Sequence, residues 1–194
     1  MREETRRRGK AMTSVHLPRL LSLKDWDALP EDHSAHTELQ EGVLIVSPRP
    51  LRPHARAAFQ IAKQLDDQLP ANLEAIIEFE VCVDAGYPPT VRIPDVVITG
   101  REGPERLLAG PDVLVAIEVV SPGSRRTDTV TKRSEYAEAQ IEHYWIVELG
   151  PPTTLIALHL AGEFGYQEPP VVTGMFTTSA PVPLHLDLDA LGKR

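Results

Sequence analysis

Two acids in this chain stand where apolar residues would be expected. Asp95 lies in RIPDVVI (Arg92 to Ile98) and Glu118 in VLVAIEVV (Val113 to Val120), two runs rich in Val and Ile that read as strands. Burying an ionised carboxylate among branched aliphatics is costly unless a cation or strong donors meet it. Two such acids on neighbouring strands suggest a shared positive partner, and a divalent cation is the economical one. For either acid taken alone, the ordinary alternative is a strand end touching water or a loop arginine. Lys132 and Tyr136 follow, four residues apart and therefore on one helical face, as are Asp128 and Lys132. Asp95 and Glu118 are expected to hold one Mg²⁺ (Mn²⁺ being an alternative) with carboxylates within about 6 Å of each other. Such an ion makes hydroxide available near neutral pH and clamps a phosphoryl oxygen. Lys132 is expected to point at the acids, orienting the attacking water or neutralising developing charge. The plain alternatives are a surface ion pair between Asp128 and Lys132, and core packing for Tyr136.

The elements that would position these residues can be read in order. Residues 1–15 read as a disordered lead, and 16–194 as a single domain. LSLKDWDALPED (Leu21 to Asp32) reads as a short helix, with Ser22 as N-cap and Asp25 three residues on. A strand over Val43 to Val46 precedes a helix over His54 to Leu69, with Ala58, Ile61, Ala62, Leu65 and Leu69 on its buried face. AIIEFEVCVD alternates as one strand, paired as a hairpin with Arg92 to Ile98. The Val113 to Val120 strand leads to a helix capped by Thr127 or Asp128 and running to about Ala139. IEHYWIVELG returns as a strand, and the remainder reads as short antiparallel strands. The fold class expected is mixed α/β: a central mixed sheet flanked by helices, with a β-rich C-terminal part.

Composition bounds the partners. The 194 residues are 42% hydrophobic, 25% charged and only 5% aromatic, so an aliphatic core of one domain is expected. No apolar run reaches the ~20 residues needed to cross a bilayer. The charged start MREETRRRGK has no apolar segment behind it, so a cytoplasmic location without membrane contact is the expectation. A single cysteine, Cys82, excludes an internal disulfide and a cysteine zinc cluster. The formal charge of −8 argues against diffuse nucleic-acid binding and requires local basic patches. Arg49, Arg52 and Arg56 form one candidate patch; Arg125, Arg126, Lys132 and Arg133 form another, with Arg125 and Arg126 as phosphate contacts. The ordinary reading of both is a solvated face.

At this point the motifs converge. ELQEG (Glu38 to Gly42), SPRP followed by His54, RIPDVVI, AIEVVSPGSRRTD and KRSEYAEAQIEHYWIVE together resemble a bacterial restriction-endonuclease family of the PD-(D/E)XK nuclease superfamily, from about Leu20 to Leu191. The resemblance implies a restriction-endonuclease-like core, with Asp95 and Glu118 as the metal-binding acids. It also implies that Glu38 is an early catalytic acid. The superfamily lysine would stand two residues after the second acid, where this chain has Val120; Lys132 on the following helix takes its place. Glu80 and His54 are possible supporting residues, with an exposed edge-strand acid and a residue near a helix N-cap as their plain alternatives.

The function expected is therefore Mg²⁺-dependent hydrolysis of DNA phosphodiesters by a homodimer. The dimer is expected to pair through the leucine-rich strands after Pro151, because a −8 chain is too small to build a long basic groove alone. Two alternatives remain open: a catalytically degenerate DNA- or protein-binding module on the same fold, and a hydrolase of a small phosphorylated substrate with an enclosed pocket.

Overall fold

The computed structural model describes residues 19–30 and 36–192. The lead assigned to residues 1–15 lies outside them. The short helix α1 spans Leu23–Asp27 and is closed at its start by a reciprocal capping box between Ser22 and Asp25. Strands β1 (His36–Gln40) and β2 (Val43–Ser47) follow as a tight hairpin. Its two turn residues, Glu41 and Gly42, both have positive φ, 47° and 75°, the backbone twist that a two-residue hairpin loop demands. Helix α2 runs from Arg52 to Asp66 with Pro53 in its first turn, where the missing N–H costs nothing.

The expected continuous strand AIIEFEVCVD is instead two strands in two sheets. β3 (Leu73–Ile77) and β4 (Glu80–Asp84) are separated at Glu78, whose φ is 51°. Its intended partner divides at the same level, into β5 (Thr90–Arg92) and β6 (Val96–Gly100). Pro94 lies in the second break and has no N–H to give to a ladder. The hairpin pairing survives in each half: β3 pairs antiparallel with β6, and β4 with β5. The crossing is tied by a bond from Glu78 N–H to the Asp95 carbonyl, 3.2 Å. Asp95 therefore sits where the chain passes from one sheet to the other, not within a strand.

The first sheet has the order β2-β1-β5-β4-β7, with β7 at Leu107–Ala109. The second is built around β8 (Val113–Val120), which pairs antiparallel with β6 and parallel with β9 (His143–Glu148). A parallel pair needs a crossover, here a helical segment whose last part, α3, spans Lys132–Glu138. Its start corrects the expected cap. Ser121 and Ser124 exchange side-chain and backbone bonds at the head of the segment, whereas Thr127–Thr131 form a π-helical turn inside it. Beyond β9 the sheet continues to β10 (Thr154–Leu160), which carries β11 (Tyr166–Gln167) and β12 (Val172–Thr173). A separate hairpin joins β13 (Met175–Thr178) to β14 (Leu184–Asp187).

Period-two alternation on β8 divides the second sheet into two packed faces. Val115, Ile117 and Val119 meet Ala57, Ala58, Ile61, Ala62 and Leu65 of α2, together with Trp145. Ala116 belongs to the opposite cluster, with Tyr136, Tyr144 and Ile146. The leucines expected to form a dimer surface are used inside the chain: Leu155, Leu158, Leu184, Leu186, Leu188 and Leu191 are all buried. The terminal hairpin covers α2 and closes the first of these clusters, so its apolar side chains are spent on the core. Among the described residues no helix is long and apolar enough to cross a membrane.

Candidate active site

The site lies at the junction of the two sheets, between the start of α2 and the start of α3. β8 and β6 are in register with Ile117 opposite Val96, so Glu118 and Asp95 are the next residues outward on adjacent segments. Glu118 shares its strand face with Ala116, the face against which α3 packs. Lys132 and Tyr136, one turn apart, both reach it. Lys132 Nζ lies 2.7 Å from Glu118 Oε1, and the Tyr136 hydroxyl donates to the same oxygen at 2.8 Å. Lys132 is only 5% exposed, so the surface ion pair with Asp128 is not what forms. Asp128 is itself buried, with its carboxylate 3.9 Å from the ammonium.

Glu38 closes the other side. Its Oε1 is 3.0 Å from Lys132 Nζ and accepts from Ile93 N–H at 3.1 Å. Its Oε2 accepts from Arg92 Nη1 at 2.9 Å. Arg92, 1% exposed, also makes a two-pronged bond to Glu135, 2.7 Å on each arm. Asp95 Oδ2 accepts from Val119 N–H at 2.7 Å, and His54 Nε2 stands 3.3 Å from the same oxygen. His54 faces inward because it is one turn before the buried Ala57 and Ala58 on α2.

The charge in this cluster is unbalanced. Five carboxylates (Glu38, Asp95, Glu118, Asp128, Glu135) surround two permanent cations, Arg92 and Lys132. Burial pushes Glu118 well up from the usual carboxylate range; Lys132 opposes this, while Asp95, Asp128 and Glu38 add to it. Asp128 is raised for the same reasons. Glu38 goes the other way: burial would raise it, but Lys132, a bond involving His36, and Arg92 bring it far below its ordinary value. For Lys132, burial favours the neutral amine, yet Glu118, Glu38 and Asp128 together hold the proton more firmly than in water. His54 is likewise raised: burial favours the neutral ring, but the bond to Asp95 and its charge, with the Val119 backbone and Asp128, together outweigh it.

Of the residues singled out from the sequence, Asp95, Glu118, Lys132, Tyr136, Glu38 and His54 come together here. Glu80 does not: it accepts from Trp26 Nε1 at 2.9 Å and faces Arg106, away from the cluster. Arg125 is paired with Glu148 and is mostly exposed; Arg126 is exposed beside it. Arg92 and Glu135 were not anticipated. Glu135 lies at i+3 from Lys132 on α3, which is a legible signal. Arg92 had only its place beside Ile93 in an apolar run.

A search against protein-family models matches residues 23–190 to the Uma2 family, described as "Putative restriction endonuclease". The chain belongs to this family. Among solved structures it is similar to a "putative nuclease belonging to DUF820" from Anabaena variabilis ATCC 29413. The two share 17% identity over 88% of this chain and 97% of that one, with a TM-score of 0.64. At that identity the likeness establishes the restriction-endonuclease-like fold. No curated protein matches the chain.

Whether the Uma2 site suits a metal can be tested on its own donors. Among the described residues no group of three or more His, Cys, Asp or Glu side chains is arranged to hold an ion. Mg²⁺ does not need one, since it keeps several waters and takes one or two carboxylates. Asp95 and Glu118 are hard oxygen donors on adjacent segments, inside an excess of negative charge, the donor type that such an ion takes.

Proposed function

We propose that this Uma2 protein is a divalent-metal-dependent endodeoxyribonuclease that works as a homodimer, with Asp95 and Glu118 as the metal-holding acids. Nucleases of the restriction-endonuclease-like kind usually use divalent metals. A bound Mg²⁺ supplies a hydroxide near neutral pH and a Lewis acid for the phosphoryl oxygen. The observation that carries the reading is Lys132: a buried ammonium gathered between Glu118 and Glu38, beside Asp95, in a cluster short of positive charge. In this network Glu118, Glu38 and Asp128 favour the charged form of Lys132. It serves as a fixed positive donor, orienting water and countering charge that develops on the phosphoryl group. Glu38 holds Lys132 in place, and Arg92 holds Glu38. Tyr136 keeps its proton, since burial and the Glu118 charge both raise its pKa, and so donates to Glu118 throughout.

Phosphate contacts come from the heads of the two helices, Arg52 and Arg56 on α2 and Arg125 and Arg126 before α3. The Arg125–Glu148 pair does not prevent this, because exposed ion pairs are worth only ~0–1 kcal/mol and exchange readily for a phosphate. Supercoiled plasmid with Mg²⁺ or Mn²⁺ tests the proposal. Nicking and linearisation that chelation abolishes, and that Asp95→Asn and Glu118→Gln both remove, are the expected results; a metal-independent or absent cleavage overturns it.

A second reading rests on a specific observation. Glu118 Oε1 already takes two donors, Lys132 and Tyr136, as it would in a degenerate site that binds without turnover. Metal titration by calorimetry separates the two, because the degenerate site binds Mg²⁺ and Mn²⁺ poorly. Two surface clefts bear on the small-substrate alternative. One is lined by Glu74, Phe79, Arg101 and Leu108, the other by Gln40, Val43, Ile45 and Pro88. Neither includes Asp95 or Glu118.

A further inference from the structure

Among the described residues the outer edge of β2 is unpaired. β2 ends its sheet, and among the described residues only β1 pairs with it. Val43, Leu44, Ile45 and Val46 are all exposed, Val46 at 64%. Successive side chains of a strand point to opposite faces, so β2 is apolar and open on both. Natural edge strands carry a charge, a proline or a bulge that discourages pairing; VLIVS carries none of these.

We propose that β2 pairs antiparallel with β2 of a second copy, across a two-fold axis through Ile45, joining two sheets into one. The flanks select both occupant and register. Centred on Ile45, the ladder sets Val43 against Ser47, Leu44 against Val46 and Ile45 against its equivalent, with no charge in any pair. A shift of the axis toward the N-terminus runs into the turn residues Glu41 and Gly42, whose positive φ ends the strand. A shift the other way brings in Pro48, which has no N–H to donate. The centred register uses all five residues, and the chain itself supplies the uncharged apolar strand that this edge requires.

The pairing has a consequence that rests on the nuclease reading. Glu38 is the residue of β1 opposite Ile45. From Glu38 of one copy to Glu38 of the other is three inter-strand steps, about 14 Å at the usual spacing. The two-fold axis is normal to the sheet, so both Glu38 side chains stay on one face. Both Glu38 side chains thus lie on the side of the joined sheet that would meet one duplex, with Asp95 and Glu118 of each copy further from the axis, beyond β5.

Light scattering on the full chain at micromolar concentration tests the pairing. A dimer mass is expected, falling to a monomer in Val46→Lys and in Ile45→Lys. Register is read by oxidation in a Cys82→Ser background. Ile45→Cys should cross-link between copies, since directly opposed Cα atoms lie about 4.5–5.5 Å apart, within disulfide reach. Val43→Cys should not, being about 14 Å from its equivalent. A monomeric full chain, a dimer indifferent to both lysine substitutions, or equal cross-linking at both cysteines overturns the proposal. A monomer that dimerises only when residues 1–18 are removed also overturns it, assigning that segment as the cover of β2. On plasmid DNA with Mg²⁺, Val46→Lys should nick at the unmodified rate while its ratio of linear to nicked product falls several-fold. No cleavage by the unmodified chain would overturn the nuclease reading and leave the mass measurement to judge the dimer.

Discussion

Lys132 and Glu38 carry the sharpest tests at the scale of single residues. Lys132→Met removes the ammonium between two buried carboxylates. Cleavage should fall by roughly 10²–10³, while Mg²⁺ affinity measured by calorimetry is retained or increased, because the proposed metal acids, Asp95 and Glu118, remain. The same variant should lose thermal stability, since leaving buried charge unpaired costs about 3–5 kcal/mol. Glu38 tests the other end of the network. Its folded pKa lies below the ordinary 4.5, so the folded state favours the carboxylate. The stability this contributes is present in full above pH 4.5 and is lost as pH falls below that value. Glu38→Gln should lower the denaturation midpoint at pH 7 and flatten the acid limb of the stability profile below pH 4.5. An unchanged acid limb would show that Glu38 is not held by Lys132 and Arg92.

At the scale of elements, the position of α3 decides whether Lys132 meets Glu118 at all. One clamp on that helix is a glycine far from the chemistry. Gly110 lies in the turn between β7 and β8, and a Cβ there would come within 2.2 Å of the Ala139 carbonyl oxygen at the end of α3. Backbone cannot yield as a flexible side chain would. Gly110→Ala should destabilise the fold by about 1–3 kcal/mol, the usual cost of overpacking, and reduce cleavage as α3 is displaced. Thermal denaturation alongside a plasmid assay checks both; an unaffected melting temperature would mean that the helix end gives way freely. The π-helical turn Thr127–Thr131 adds to the same positioning, placing Asp128 and Lys132 on the buried side one after the other. Such turns occur often at functional sites.

For the whole molecule, the −8 charge and the small basic patches set the behaviour toward DNA. With the four arginines of each protomer neutralising phosphates, about eight in a dimer on one duplex, the salt slope should be near −7, and affinity should fall by on the order of 10⁴ between 50 and 200 mM salt. Fluorescence anisotropy with a duplex and a non-catalytic divalent ion measures it. A slope near zero would remove DNA as the substrate. Substituting Arg52 and Arg126 together should roughly halve the slope without changing the buried cluster, since both side chains are exposed.

What the chain determined by itself was local chemistry and periodicity. The apolar runs around Asp95 and Glu118, the i, i+4 spacing of Lys132 and Tyr136, and the Ser22–Asp25 cap each follow from neighbours a few residues away. The restriction-endonuclease-like fold was legible because those motifs come in a family order that the match over residues 23–190 bears out. Tertiary structure decided the rest. The alternation of AIIEFEVCVD gave no sign of the break at Glu78, because a strand leaves its sheet only when a second sheet competes for its pairing. Likewise Leu155, Leu186 and Leu191 look the same in sequence whether they meet α2 or another molecule, and packing spent them on the core. β2, whose VLIV would pass as an ordinary inner strand, was left at the edge. Arg92 shows the physical reason most plainly: a buried guanidinium needs Glu38 and Glu135, and those partners lie 54 and 43 residues away in the chain.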